Sequence, residues 1–137
     1  MSLPLGARLS NPGNIRIGTK WRGLAENQLD MEFCTFVSMP FGVRALAKII
    51  ITYLNEKIPV NTITLIISRW APPEDHNDTA AYIKAVSART GIDPDATITR
   101  QDFPALIKAI IHQEQGIDCC TDLEISNGIQ MAAGVAA

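Results

Sequence analysis

Ser38-Met39-Pro40-Phe41-Gly42-Val43-Arg44-Ala45-Leu46-Ala47-Lys48-Ile49-Ile50-Ile51-Thr52-Tyr53-Leu54 is the stretch that decides the fold class. Val43, Leu46, Ala47, Ile50, Tyr53 and Leu54 recur at helical spacing, so the run reads as a helix with one buried stripe. Ser38 stands where an N-cap belongs, and Pro40 falls in a first turn, where proline costs no hydrogen bond. Pro59 closes the element. Its most apolar part, residues 49–54, is bounded by Lys48 and Asn55 and is too short to span a bilayer, which predicts no membrane insertion.

Downstream the pattern stays helical. Asn61 or Thr62 caps a second helix carrying Ile63, Ile66, Ile67 and Trp70, and Pro72-Pro73 terminates it. A polar stretch over residues 74–78 leads into a third helix with Tyr82, Ile83 and Val86 inward, closed by Gly91. Thr99 with Asp102 has the pattern of a capping box and opens a fourth helix through Leu106, Ile107, Ile110 and Ile111, which stops at Gly116. Thr121 with Glu124 is a second box, opening a terminal helix through Ile125, Ile129 and Met131.

Upstream of Ser38 helical periodicity is weak and turn formers are frequent. Residues 14–19 and 32–37 partly alternate, with Phe33, Thr35 and Val37 on one side and Glu32, Cys34 and Phe36 on the other. With Gly18, Gly23 and Asn27 between them, the two runs read as a small β-hairpin with a long loop. The expected architecture is therefore mainly α (α+β), with about five helices and a small N-terminal β-hairpin. No repeat or low-complexity linker divides the chain, so residues 1–137 read as one domain.

Bulk properties exclude several classes. An apolar share of 47% and a charged share of 19% describe a globular chain of 137 residues, long enough for a core without staples. A formal net charge of −2 offers no basic surface for nucleic acid. Cys34, Cys119 and Cys120 form neither a disulfide framework nor a Cys-x-x-Cys motif, and read as reduced thiols made in a reducing cytoplasm. The N-terminus lacks the charged and apolar regions of a signal peptide. His76 and His112 sit in different segments, no His-Glu-x-x-His, phosphate loop or Gly-x-Ser-x-Gly elbow occurs, and neither metal nor cofactor is expected.

Carboxylates and one turn remain as candidate chemistry. Glu114 ends the fourth helix just before Gly116, where it either projects into a groove or is simply solvated. Asp30 and Glu32 lie in the predicted hairpin. Glycosidase chemistry needs one carboxyl as general acid and often a second to hold charge or position water, which a helix-end glutamate facing a hairpin satisfies in principle. Asn11-Pro12-Gly13-Asn14-Ile15-Arg16 is a polar turn exposing amides and a guanidinium, suited to sugar or carboxylate recognition or serving only as a structural turn. Arg69 and Trp70 read as a contact patch or, for Trp70, as core.

These residues also resemble a known family. Gly6-x-Arg8, Asn11-Pro12-Gly13-Asn14-Ile15-Arg16 and Trp21-x-Gly23 are similar to the opening of small phage and prophage proteins labelled structural or virion proteins. So are Phe33-x-x-Phe36-x-Ser38-x-x-x-Gly42-x-Arg44-Ala45-Leu46, then Ile66-Ile67-x-Arg69-Trp70-Ala71-Pro72-Pro73 with Asn77-Asp78-Thr79 and Tyr82, and finally Ala109-Ile110-Ile111 before Glu114-x-Gly116. Relatives tend to carry His-Glu-Asn-Gly where this chain has Gln113-Glu114-Gln115-Gly116. That family resembles lysozyme-like peptidoglycan hydrolases at a distance, with the acid at a helix end. Here Glu114 follows the hairpin in sequence, an order that a circularly permuted lysozyme-like domain reconciles if the chain ends lie close together.

The resemblance implies a peptidoglycan-acting protein, either a lysis factor or a wall-penetrating virion component, working in the virion or at the wall and periplasm. Glu114 is then the general acid, Asp30 or Glu32 the assisting carboxylate, and Asn11, Asn14, Arg16 and Trp21 the groove lining. The alternative is a non-catalytic virion or assembly protein that binds glycan or other virion proteins through the same scaffold.

Overall fold

The computed structural model describes residues 2–134. It is mainly helical: α1 (Leu5–Arg8), α2 (Met39–Leu54), α3 (Ile63–Trp70), α4 (Thr79–Thr90), α5 (Phe103–Gln115) and α6 (Asp122–Ala132). Short 3-10 turns at Pro73–Asp75 and Arg100–Asp102 precede α4 and α5. The short helix α1 was not foreseen. Its four residues are too few for any periodicity to register.

The later helices begin and end where their local chemistry dictates. The Thr62 hydroxyl accepts the Leu65 N–H and Asp78 accepts the Ala81 N–H, so Thr62 rather than Asn61 caps α3. Both capping boxes form, Thr99 with Asp102 and Thr121 with Glu124; the first opens a 3-10 turn that runs into α5 at Phe103. Ser38 differs from expectation: it precedes α2 in an extended conformation, but its side chain makes no capping hydrogen bond.

α2 is the centre of the molecule. Val43, Leu46, Ala47 and Ile50 are fully buried as their spacing predicts, and Gly42, Arg44 and Ala45 from the rest of the helix surface are buried as well. A helix buried nearly all round needs partners on several sides. α6 packs along one side, while Gly42 lies against Ser10 and Pro12, and Gly13 against Leu46. Ile63, Ile66 and Ile67 of α3, Val86 of α4 and Leu106, Ile107, Ile110 and Ile111 of α5 complete one core.

The close approach of α6 to α2 rests on Gly128. A Cβ there would lie 2.5 Å from Val43 Cβ and 2.8 Å from the Pro40 carbonyl oxygen. Gly→Ala inside a helix ordinarily stabilises by about 1 kcal/mol. Gly128→Ala is expected to do the reverse, costing about 1–3 kcal/mol as the two helices are forced apart. A thermal melt reads the sign directly, and a raised melting temperature would contradict this packing.

The N-terminal region corrects the hairpin expectation. Residues 14–19 and 32–37 do face each other, but only through the isolated antiparallel bridge Arg16↔Phe33, with a second at Leu24↔Phe36. Asn11 takes the Ile15 N–H and the Cys34 carbonyl, and Asp30 the Glu32 N–H, which a longer ladder would use, and further side chains hold the segment from its other edge. Asp30 accepts the N–H groups of Glu32 and Phe33, and Gln28 takes both the N–H and the carbonyl of Thr35. The Thr35 hydroxyl accepts the Leu29 N–H, and the Phe36 N–H goes to Leu9 instead of to a partner strand. The segment is an irregular coil pinned by side chains, laid over α2 and α5.

Candidate functional site

Glu114 lies in the last turn of α5 and is half-buried, and its carboxylate gathers donors from three other parts of the chain. Tyr82 on α4 donates its hydroxyl to Oε2 at 2.8 Å. The Trp70 indole N–H from the end of α3 is shared between the Tyr82 oxygen at 3.0 Å and the same Oε2 at 3.3 Å. Asn14 Nδ2 reaches Oε1 at 3.1 Å. Burial, with the charge of Glu114 alongside, pushes the Tyr82 phenol well above its ordinary range, so Tyr82 serves as a donor.

Asn14 is held in that orientation from behind. It adopts a left-handed conformation, φ 51°, which asparagine tolerates better than most residues. Its Oδ1 accepts from Gln115 Nε2 at 2.9 Å, which leaves Nδ2 facing Glu114. Gln115 is itself buried: Nε2 also donates to the Pro12 carbonyl, and Oε1 accepts the Ala7 N–H. This cluster is closed by Gly6, where a Cβ would lie 2.3 Å from Gln115 Nε2 and 2.4 Å from Asn14 Oδ1. Gly6, the 11–16 turn and the end of α5 therefore form one polar joint.

The joint forms one wall of a groove of about 820 Å³. Asn14, Arg16, Phe33, Trp70 and Glu114 line it, together with Glu74, Asp75, His76 and Asn77 from the turn between α3 and α4. Arg16 is exposed, ion-paired to Glu32 at 2.9 Å and stacked over the Phe33 ring. The groove combines aromatic faces, amides, carboxylates and one guanidinium, a mixture suited to a polar, sugar-like or peptide-like ligand.

The residues singled out from sequence fall into two groups. Asn14, Arg16 and Glu114 come together at the groove. Asn11 does not reach it: it is completely buried, with both amide hydrogens given to the Ile15 and Cys34 carbonyls and its oxygen accepting the Ile15 N–H. Trp21 is half-buried against the core, away from the groove lining. Asp30 serves the backbone, and the N–H groups of Phe33 and Glu32 hold its carboxyl below the usual range. Glu32 reaches the site only through its ion pair with Arg16. Glu74 and Asp75 are the carboxylates that share the groove with Glu114.

Sequence reasoning missed Tyr82 and Trp70 as site residues. Both fall on apolar stripes and read as core, which their ring bodies are. The available signal was that both carry a polar tip, which seeks a partner once the ring is buried. Arg69 does not join Trp70 at the groove, because it pairs with Glu56 and lies over Tyr53.

No family model matches the chain. It is similar to Protein P5 of Pseudoalteromonas phage PM2, with 39% identity over 129 residues, covering 91% of this chain and 79% of that protein. No helix among the described residues is long and apolar enough to cross a membrane. With 39% identity over 91% of its length, the chain belongs to the family of phage Protein P5.

Proposed function

We propose that the chain is a phage- or prophage-encoded, lysozyme-like protein that acts on peptidoglycan, as a lysis factor or a wall-penetrating virion component. Glu114 is its general acid for cleavage of the glycan strand. One observation carries this reading: a carboxyl group at the end of a rigid helix, held by Tyr82, Trp70 and Asn14, stands on the wall of a groove large enough for sugar rings. Glu114 would protonate the leaving glycosidic oxygen. Glu74 or Asp75, rather than Asp30 or Glu32, would hold charge or position water, because they line the groove. Asn14 and Arg16 would orient the ligand, and Trp70 and Phe33 would offer apolar ring contacts.

A second reading has an observation of its own. Glu114 accepts three donors, so it also serves as the keystone joining α3, α4, α5 and the 11–16 turn. A non-catalytic virion or assembly protein binding glycan or other virion proteins through the same groove would keep that arrangement.

A zymogram against purified peptidoglycan separates the two. Clearing by the folded native protein is expected. Binding without clearing would overturn the enzymatic reading in favour of the binding one.

A further inference from the structure

Cys119 and Cys120 fall in the loop that joins α5 to α6, directly before the Thr121 cap. Adjacent side chains in an extended chain point to opposite faces, which would hold two such sulfurs apart. Here the loop turns both the same way: the two Sγ atoms lie 4.0 Å apart, within hydrogen-bond reach of each other, and both thiols are free.

The two sulfurs are not equivalent. Cys119 is partly exposed, whereas Cys120 is buried among the core side chains. The hydrogen bond from Cys120 favours the thiolate of Cys119, outweighing burial and the opposing charges of Glu124 and Asp118. The same contact, together with burial, keeps Cys120 protonated. An accessible sulfur with thiolate character, backed by a second thiol, is the arrangement of an attacking and a resolving cysteine. Cys34 contrasts with both: it is 1% exposed, burial pushes its thiol up, and it donates to the Arg16 carbonyl.

We propose that Cys119 and Cys120 form a thiol–disulfide exchange site, which a low-molecular-weight disulfide converts to a Cys119–Cys120 bridge. The Cys119 thiolate attacks one sulfur of the small disulfide, forming a mixed disulfide and expelling one small thiolate. That thiolate takes the Cys120 proton; Cys120 then attacks Cys119 Sγ and expels the second small thiolate, which is protonated by solvent. The protein loses two electrons and two protons, and the small disulfide is reduced to two thiols. Closure brings the sulfurs from 4.0 Å to about 2.0 Å, so the loop over residues 117–120 must shift. A ring between neighbouring residues is strained, and strained bridges are the readily reduced ones. The pair therefore stays reduced in a reducing cytoplasm and closes where small disulfides predominate.

The test adds an aromatic disulfide, dithiodipyridine, to the folded native protein. Thiopyridone release is followed by absorbance, together with the mass of the tryptic fragment 109–137, which holds Cys119 and Cys120 but not Cys34. The expected fragment is lighter by two hydrogens and carries no adduct, with two thiopyridones released, and dithiothreitol restores its mass. Cys120→Ser should release one thiopyridone and keep the adduct on Cys119, because the resolving sulfur is gone. Cys119→Ser should react at least about tenfold more slowly than Cys120→Ser. A lasting adduct on the native fragment, or no reaction of that fragment in the folded protein, overturns the proposal. Equal rates for the two variants overturn the assignment of Cys119 as the attacking sulfur.

Discussion

Glu114→Gln is expected to abolish peptidoglycan clearing, lowering the rate by about 10²–10⁴-fold, the range that a positioned general acid contributes. The same change has a smaller structural cost that follows from its hydrogen bonds. A carboxylate offers acceptors on both oxygens, and here both are used: Oε2 by Tyr82 and Trp70, Oε1 by Asn14. An amide has one oxygen. Turned toward Tyr82 and Trp70, it opposes its own NH₂ to that of Asn14, which Gln115 holds in place. One donor is stranded, at a cost of about 1–3 kcal/mol. Release of dye from labelled peptidoglycan, measured well below the variant's melting temperature, separates the two effects. Retention of more than about a tenth of native activity would remove Glu114 from the role of acid.

The largest loss of stability is expected at Asn11. Asn11→Ala deletes a side chain with no exposed surface that makes hydrogen bonds of 2.9, 3.0 and 2.9 Å to Ile15 and Cys34. The Ile15 N–H and the Cys34 carbonyl then stay buried without partners, while the Ile15 carbonyl keeps the Cys34 N–H. At about 1–3 kcal/mol for each stranded group, partly relieved by relaxation, the cost is on the order of 4 kcal/mol. That corresponds to a fall in melting temperature of roughly 10–20 °C for a chain of this size. Ligand affinity of the folded fraction should be unchanged, since Asn11 lies outside the groove. Unaltered stability with weakened binding would show instead that Asn11 reaches the ligand. Asn11 and Asn14 are thus expected to separate cleanly, the first acting on folding and the second on the Glu114 site.

The contrast between these two asparagines marks how far the residues could be read in order. Both belong to one polar turn, and by type either could face a ligand. The helices were legible because their determinants are local: the stripe in α2, the Thr62 cap, the boxes at Thr99 and Thr121, and the left-handed glycines Gly91 and Gly116 each act within a few residues. The hairpin was read too strongly. Alternation over residues 32–37 suggests a strand, but Asn11 takes the Ile15 N–H and the Cys34 carbonyl, and Asp30 the Glu32 N–H, that pairing would have used.

By itself, then, the sequence determined a mainly helical chain, the positions of its long helices, and a polar turn and helix-end glutamate as the residues worth watching. Tertiary structure alone decided that Asn14 meets Glu114 across 100 residues, that Tyr82 and Trp70 complete the carboxylate's shell, and that Asn11, Trp21 and Asp30 turn elsewhere. The reason is geometric. Periodicity tells which stripe of a helix is buried, but not which polar tip on that stripe another element will approach. That depends on how closely the elements pack, here on whether Gly6 lets the end of α5 close against the 11–16 turn.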